Sequence, residues 1–120
     1  MNSSSLYERL GGEDKIHALA TTIFDLHRQN PAVRNRYVDS DRDKVIRLAA
    51  EFICAGTGGP QSYTGLDMVS AHRGMNISEE EYVAVVDDIV QAMQQHDIGE
   101  REQQEMLMIL WSLKPEILRL

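Results

Sequence analysis

Apolar residues recur along this chain at the spacing of helices packed on one side. Ile16, Leu19, Ala20, Ile23 and Phe24 follow the i, i+3, i+4, i+7, i+8 pattern, and His27 continues the line, which predicts a helix from about Asp14 to Asn30. Asn30-Pro31 closes it, because the residue before proline is pushed out of the helical region, and Pro31 suits the first turn of a short helix through Tyr37. Val45, Leu48, Ala49, Phe52 and Ile53 repeat the pattern after a cap at Ser40 or Asp41, predicting a helix to about Ala55 with those residues as its inner face. A third long helix, about Glu79 to His96, carries Tyr82, Val85, Val86, Ile89 and Met93 inward. A last one from about Glu100 carries Met106, Leu107, Ile109, Leu110, Leu113 and Ile117, interrupted near its end by Pro115. A short element, Leu6 to Leu10, is cut off by Gly11-Gly12. No stretch alternates with period two long enough to make a strand, so the fold class expected is all-α, a single domain over residues 1–120.

The stretch from Gly56 to Ile77 departs from this regularity. Gly56-Thr-Gly-Gly-Pro60 is a strong breaker, yet the loop after it lies between two strongly apolar helices. Within it Leu66, Val69 and His72 recur at roughly helical spacing, which predicts a short helix with His72 leaving on its apolar side. Gly74 stops that helix by taking the left-handed conformation. Ser78 with Glu81 forms a capping box for the next, and Ile77 before the cap can staple onto Tyr82. The imidazole of His72 is thus held between two helix ends, as a hydrogen-bonded core histidine or as a ligand.

Composition narrows the partners. Twelve basic against nineteen acidic residues give a net charge of -7, which disfavours nucleic acid and anionic membrane. The single cysteine, Cys54, excludes an internal disulfide and reads as a small buried hydrophobe. No apolar run approaches a membrane span of about 20 residues, and the first residues lack a basic start and apolar core, so the expectation is a soluble, cytoplasmic protein.

Several short motifs together resemble one family. Leu6-Tyr7-x-x-Leu10-Gly11-Gly12, the pair Gly58-Gly59, Tyr63-x-Gly65-x-x-Met68, and Ala71-His72 followed by Gly74 are similar in order and spacing to the truncated haemoglobins, the two-on-two branch of the globins, nearest their first group. The resemblance runs from Leu6 into the final helix. It implies a globin-like two-on-two helical sandwich around haem b (iron protoporphyrin IX), with His72 matching the proximal iron ligand. It further implies that Lys44, Leu48, Phe52, Tyr63, Met68, Arg73, Ile77 and Tyr82 contact the cofactor, Lys44, Tyr63 and Arg73 toward its propionates. The chemistry agrees, since haem iron in a globin takes a neutral imidazole nitrogen whose ring partner is held by a carbonyl or similar acceptor.

On the distal side the chain departs from the family. First-group members place a tyrosine and a glutamine over the ligand; the matching positions here are Phe24, Val45 and Ala49, none of which can donate a hydrogen bond. Tyr37 then becomes the distal donor, against the alternative of a tyrosine that packs its ring on haem and bonds elsewhere. His27 could be a second axial ligand only if the helices moved; it is expected instead near the negative end of its helix, where partial positive charge is favoured, and His17 and His96 at the surface. Leu48 stands where some relatives carry a distal iron-binding histidine, so that route to six-coordination is absent. Six basic residues between Arg28 and Arg47 read mainly as a solvated face.

Two function classes follow. One is reversible binding of a diatomic gas, which needs only His72, haem and a pocket. The other is a haem enzyme, a nitric oxide dioxygenase or peroxidase-like activity, which needs an external reductase because the chain has no flavin or reductase motif. A haem-free helical domain is the third alternative, separated from both by a visible spectrum.

Overall fold

In the computed structural model, which describes residues 4–119, the six helices are α1 (Leu6–Arg9), α2 (Glu13–Gln29), α3 (Arg42–Gly56), α4 (Met68–His72), α5 (Glu79–Gln95) and α6 (Glu100–Leu113). Two 3-10 turns, Arg34–Tyr37 and Lys114–Glu116, complete the regular structure, with no strand among the described residues. Helix α2 packs against α3 and α5, and α5 packs against α6, which makes the two-on-two sandwich.

The stripe expected on α2 is buried throughout, from Ile16 to His27. Ile16 and Leu19 of α2, with Met93 of α5, are fully enclosed, and each such side chain contributes about 1.5–3 kcal/mol by leaving water. Asn30 ends α2 in an extended conformation before Pro31. Helix α3 is capped by Asp41, whose carboxylate accepts from the Lys44 amide at 3.2 Å.

The register of α3 differs from the expectation. Its buried line is Ile46, Ala50 and Cys54, at i, i+4 and i+8, and this face joins the central core. Val45, Leu48, Ala49, Phe52 and Ile53 are only half-buried. The apolar band of α3 is wide enough to serve two surfaces, and the strip nearer α4 faces a cavity instead of another helix.

Helix α1 is tied to both ends of the sandwich. The Tyr7 amide donates to the Thr57 carbonyl at 2.9 Å, and a Cβ at Gly59 would lie 2.6 Å from the Tyr7 ring, so Gly59 lets the tyrosine close over the end of α3. Arg9 forms a forked pair with Glu105 of α6 at 2.7 Å for each nitrogen.

Helix α4 begins at Met68, after an Asp67 cap that accepts from the Ser70 amide at 3.1 Å. Leu66 therefore lies outside the helix and is 63% exposed, contrary to its expected place on an apolar face. The chain leaves α4 through extended Arg73 and then Gly74 at φ 84°, as the stop signal requires. It re-enters a helix through the Ser78–Glu81 capping box, with Ile77 and Tyr82 in one small cluster that also holds Val86 and Ile117. Pro115 ends α6 in a 3-10 turn, after which the Arg119 amide donates to the Ile77 carbonyl at 3.1 Å. Removing the cap by Ser78→Ala should lower unfolding stability in urea by about 1 kcal/mol, because α5 and the α4–α5 turn both begin on it; an unchanged midpoint would contradict this.

Candidate functional site

The α4 helix supplies a polar group whose orientation its own backbone dictates. His72 Nδ1 lies 2.8 Å from the Met68 carbonyl one turn earlier. A carbonyl can only accept, so Nδ1 carries the hydrogen, and a neutral ring then has its lone pair on Nε2. His72 also lines a cavity of about 250 Å³, or about 850 Å³ counting its open mouth.

That cavity is almost wholly apolar. Ala49, Phe52 and Ile53 of α3 form one wall, Val85, Val86 and Ile89 of α5 another, and Met106 and Leu110 of α6 close the far end. Met68 and Tyr82, both expected at the cofactor, are in its lining. The Tyr82 hydroxyl is taken by the Leu110 carbonyl, which leaves its ring to the cavity. A second, smaller cavity of about 110 Å³ adjoins it, sharing His72, Tyr82, Val85 and Ile117 and adding Tyr37 and Ile77. Arg36, forked onto Glu81 and bonded to the Met75 carbonyl at 3.2 Å, stands at this second cavity. The guanidinium holds the Glu81 carboxyl down at about 2.

Other expected residues lie outside both linings. Phe24 is in the core, edge-on to Tyr37 at 5.8 Å between ring centres. Val45 and Leu48 are half-buried on α3, and Lys44 and Arg73 are exposed. Tyr63 sits edge-on to Phe52 at 5.2 Å and donates its hydroxyl to the Leu66 carbonyl at 2.7 Å. Arg28, Arg34, Arg42, Lys44 and Arg47 are exposed, the solvated face expected of them, whereas Arg36 leaves that face for the second cavity. Cys54 is buried as expected, His17 is exposed, and His96 is half-buried against the Thr22 hydroxyl at 2.7 Å rather than free at the surface.

Tyr37 stacks on His27 with ring centres 5.2 Å apart, and its hydroxyl makes no hydrogen bond among the described residues. Burial raises its pKa, so the phenol keeps its proton and remains a donor.

His27 corrects the expectation of a partly charged residue at a helix end. It is 6% exposed, its Nδ1 lies 2.7 Å from Asp88 Oδ2, and it lines the larger cavity. Burial lowers its pKa and outweighs the opposing pull of Asp88, so the ring is neutral at pH 7. Desolvation therefore prevails over the helix end. Position on the α2 stripe marked His27 as inward-facing; Asp88 beside Ile89 on the α5 stripe was the signal for its partner, and the sequence reading passed over it.

This site suits a flat apolar group with a metal ion at its centre. It offers the oriented imidazole of His72 and walls drawn from three long helices; among the described residues no cluster of three His, Cys, Asp or Glu would hold a bare ion. The profile of the bacterial-like globin family matches residues 5–118. A Group 1 truncated hemoglobin of Tetrahymena pyriformis is 25% identical over 91 residues, 76% of this chain and 75% of that protein. The Group 1 truncated hemoglobin GlbN of Mycolicibacterium paratuberculosis is 23% identical over 114 residues, 95% of this chain and 84% of that protein. Among solved structures, the Fe(III) form of the Tetrahymena pyriformis truncated hemoglobin superposes with a TM-score of 0.94 at 21% identity, covering 98% of this chain and 100% of that one. The Group II truncated hemoglobin of Bacillus anthracis does so with a TM-score of 0.88 at 20% identity, covering 99% and 94%.

The lowered pKa of His27 fixes the sign of one pH effect. As pH falls below 6.5, its ordinary value, the unfolded chain takes up this proton before the folded one does. The contribution of the neutral ring is whole above that pH and declines toward the depressed folded value. The urea midpoint should fall on going from pH 7.5 to 5.5, and fall less in His27→Leu; a midpoint that rises on acidification would contradict the assignment.

Proposed function

The chain belongs to the bacterial-like globin family, as a truncated haemoglobin, and on that premise we propose that it holds haem b through His72 and reversibly binds a diatomic gas. The observation that carries this reading is the 2.8 Å bond from His72 Nδ1 to the Met68 carbonyl beside an apolar cavity. It fixes the tautomer and leaves Nε2 of His72 as an oriented lone pair a metal could take. Haem, when bound, supplies the iron that takes oxygen, carbon monoxide or nitric oxide.

The remaining roles belong to the protein. Phe52, Met68, Ile77 and Tyr82 pack on the cofactor and exclude water, with Leu48 and Val45 at the edge of the same α3 strip. Lys44 and Arg73 neutralise the propionates at the surface, and Tyr63 joins them by exchanging its bond to the Leu66 carbonyl. Ala49 sets the size of the gas site, and Phe24 backs the Tyr37 ring from the core. Tyr37, a phenol with an unspent proton, donates to the gas.

Added haemin should give the protein a Soret band saturating at one equivalent; a preparation that stays colourless overturns the reading. Tyr37→Phe should weaken oxygen affinity about five- to thirtyfold, the worth of a hydrogen bond of about 1 to 2 kcal/mol, while carbon monoxide, much less polar, stays within about twofold. Equal effects on both gases would remove Tyr37 from the donor role.

A further inference from the structure

The larger cavity is lined by His27, one half of a buried polar pair that gas binding does not use. His27 and Asp88 are 61 residues apart in sequence and meet at 2.7 Å, both almost fully buried. Asn30 orients the carboxylate. Its Oδ1 accepts from the Ala32 amide at 3.0 Å, so the opposite end of the side chain must be the NH2 group. That group donates to both Asp88 oxygens, at 3.1 and 3.2 Å. With both oxygens accepting, Asp88 is engaged as a carboxylate is, and the hydrogen in the contact with His27 then belongs to Nδ1.

The consequence concerns the other ring nitrogen. Nε2 has no hydrogen-bond partner among the described residues, although the side chain is only 7% exposed. It lies on the far side of the ring from Asp88, and the residue lines the cavity. In the neutral ring it is a lone pair, able to accept and unable to donate. Tyr37, stacked on the same ring, brings the complementary donor.

We propose that His27, oriented by Asp88, is a hydrogen-bond and proton acceptor for small uncharged acids HX whose anions ligate metals, the class of hydrogen cyanide, hydrogen sulfide and hydrogen peroxide. Such a molecule enters an apolar cavity as HX and must shed its proton to act as a ligand. The H–X bond breaks, the Nε2–H bond forms, and the electron pair stays on X. The imidazolium so formed lies against the Asp88 carboxylate, which stabilises it where water cannot. Aprotic carbon monoxide has no proton to give and gains nothing from Nε2. The proposal rests on the haem reading above, since X needs a metal to bind.

The test uses the haem-loaded protein, with cyanide at pH 7 on the ferric form and carbon monoxide on the ferrous form as control. His27→Leu should slow cyanide association at least tenfold, about 1.4 kcal/mol in barrier, and leave carbon monoxide within about twofold. Asp88→Asn should reproduce this with His27 still present. An amide that accepts from Asn30 must donate to Nδ1, which moves the ring hydrogen to Nε2 and removes the acceptor. Cyanide and carbon monoxide changing by one common factor, or neither changing, overturns the proposal. The wild-type carbon monoxide complex gives a second readout if the variants fold poorly: the nitrogen chemical shifts of His27 should report Nδ1 protonated and Nε2 bare, and the reverse tautomer overturns the proposal. A normal Soret band with unselective variants defeats this inference alone. A wild type that takes up no haem defeats it together with the reading beneath it.

Discussion

The hydrogen bond from His72 Nδ1 to the Met68 carbonyl is internal to a five-residue helix, yet the rest of the site depends on it. It chooses the tautomer, and with the tautomer the nitrogen that can serve as a ligand. So short a helix has little stability of its own, because nucleation fixes several residues for few bonds. Its ends are therefore fixed from outside: Asp67 caps the start, Gly74 reverses the chain, and the Ser78–Glu81 box restarts the helical path. The ring is held by geometry on either side more than by packing around it.

The opposing surface is made by dividing one apolar band between two duties. Helix α3 gives Ile46, Ala50 and Cys54 to the central core, and turns Ala49, Phe52 and Ile53 toward the cavity. Side chains left half-buried forgo part of the roughly 1.5–3 kcal/mol that full burial of each would contribute. A flat apolar cofactor recovers that loss, so haem binding and folding stability should be linked in this protein by mass action. Buried polarity is concentrated opposite, where His27, Asn30 and Asp88 satisfy one another and leave a single nitrogen unshared.

Much of this was legible in the sequence, and the reasons for the exceptions are physical. The stripes of α2 and α5 were readable because each buries one narrow face, so period and burial coincide. On α3 both halves of a wide band are apolar, and periodicity alone cannot say which half meets protein and which meets a cavity. Leu66 was misplaced because spacing was followed across Asp67, whose side chain caps the helix that starts after it. The motifs around His72 located the short helix that carries it, since a stop glycine and a capping box are local signals, whereas its match to an iron ligand came from family likeness. His27 was visible as an inward residue but not as a neutral one, because its protonation is set by burial and by a carboxylate on a distant helix. Tyr37 could be matched to a distal position by family likeness, whereas its stacking on His27 follows only from the three-dimensional path of the turn between α2 and α3.

The most direct test of the central coordinate bond is haemin binding by His72→Gly, followed by its visible spectrum with and without added imidazole. Without imidazole the variant should bind haemin weakly and lack the wild-type Soret maximum; imidazole diffusing into the vacated position should restore both. A variant that takes up haemin as tightly as the wild type, with the same spectrum and no response to imidazole, would contradict the account.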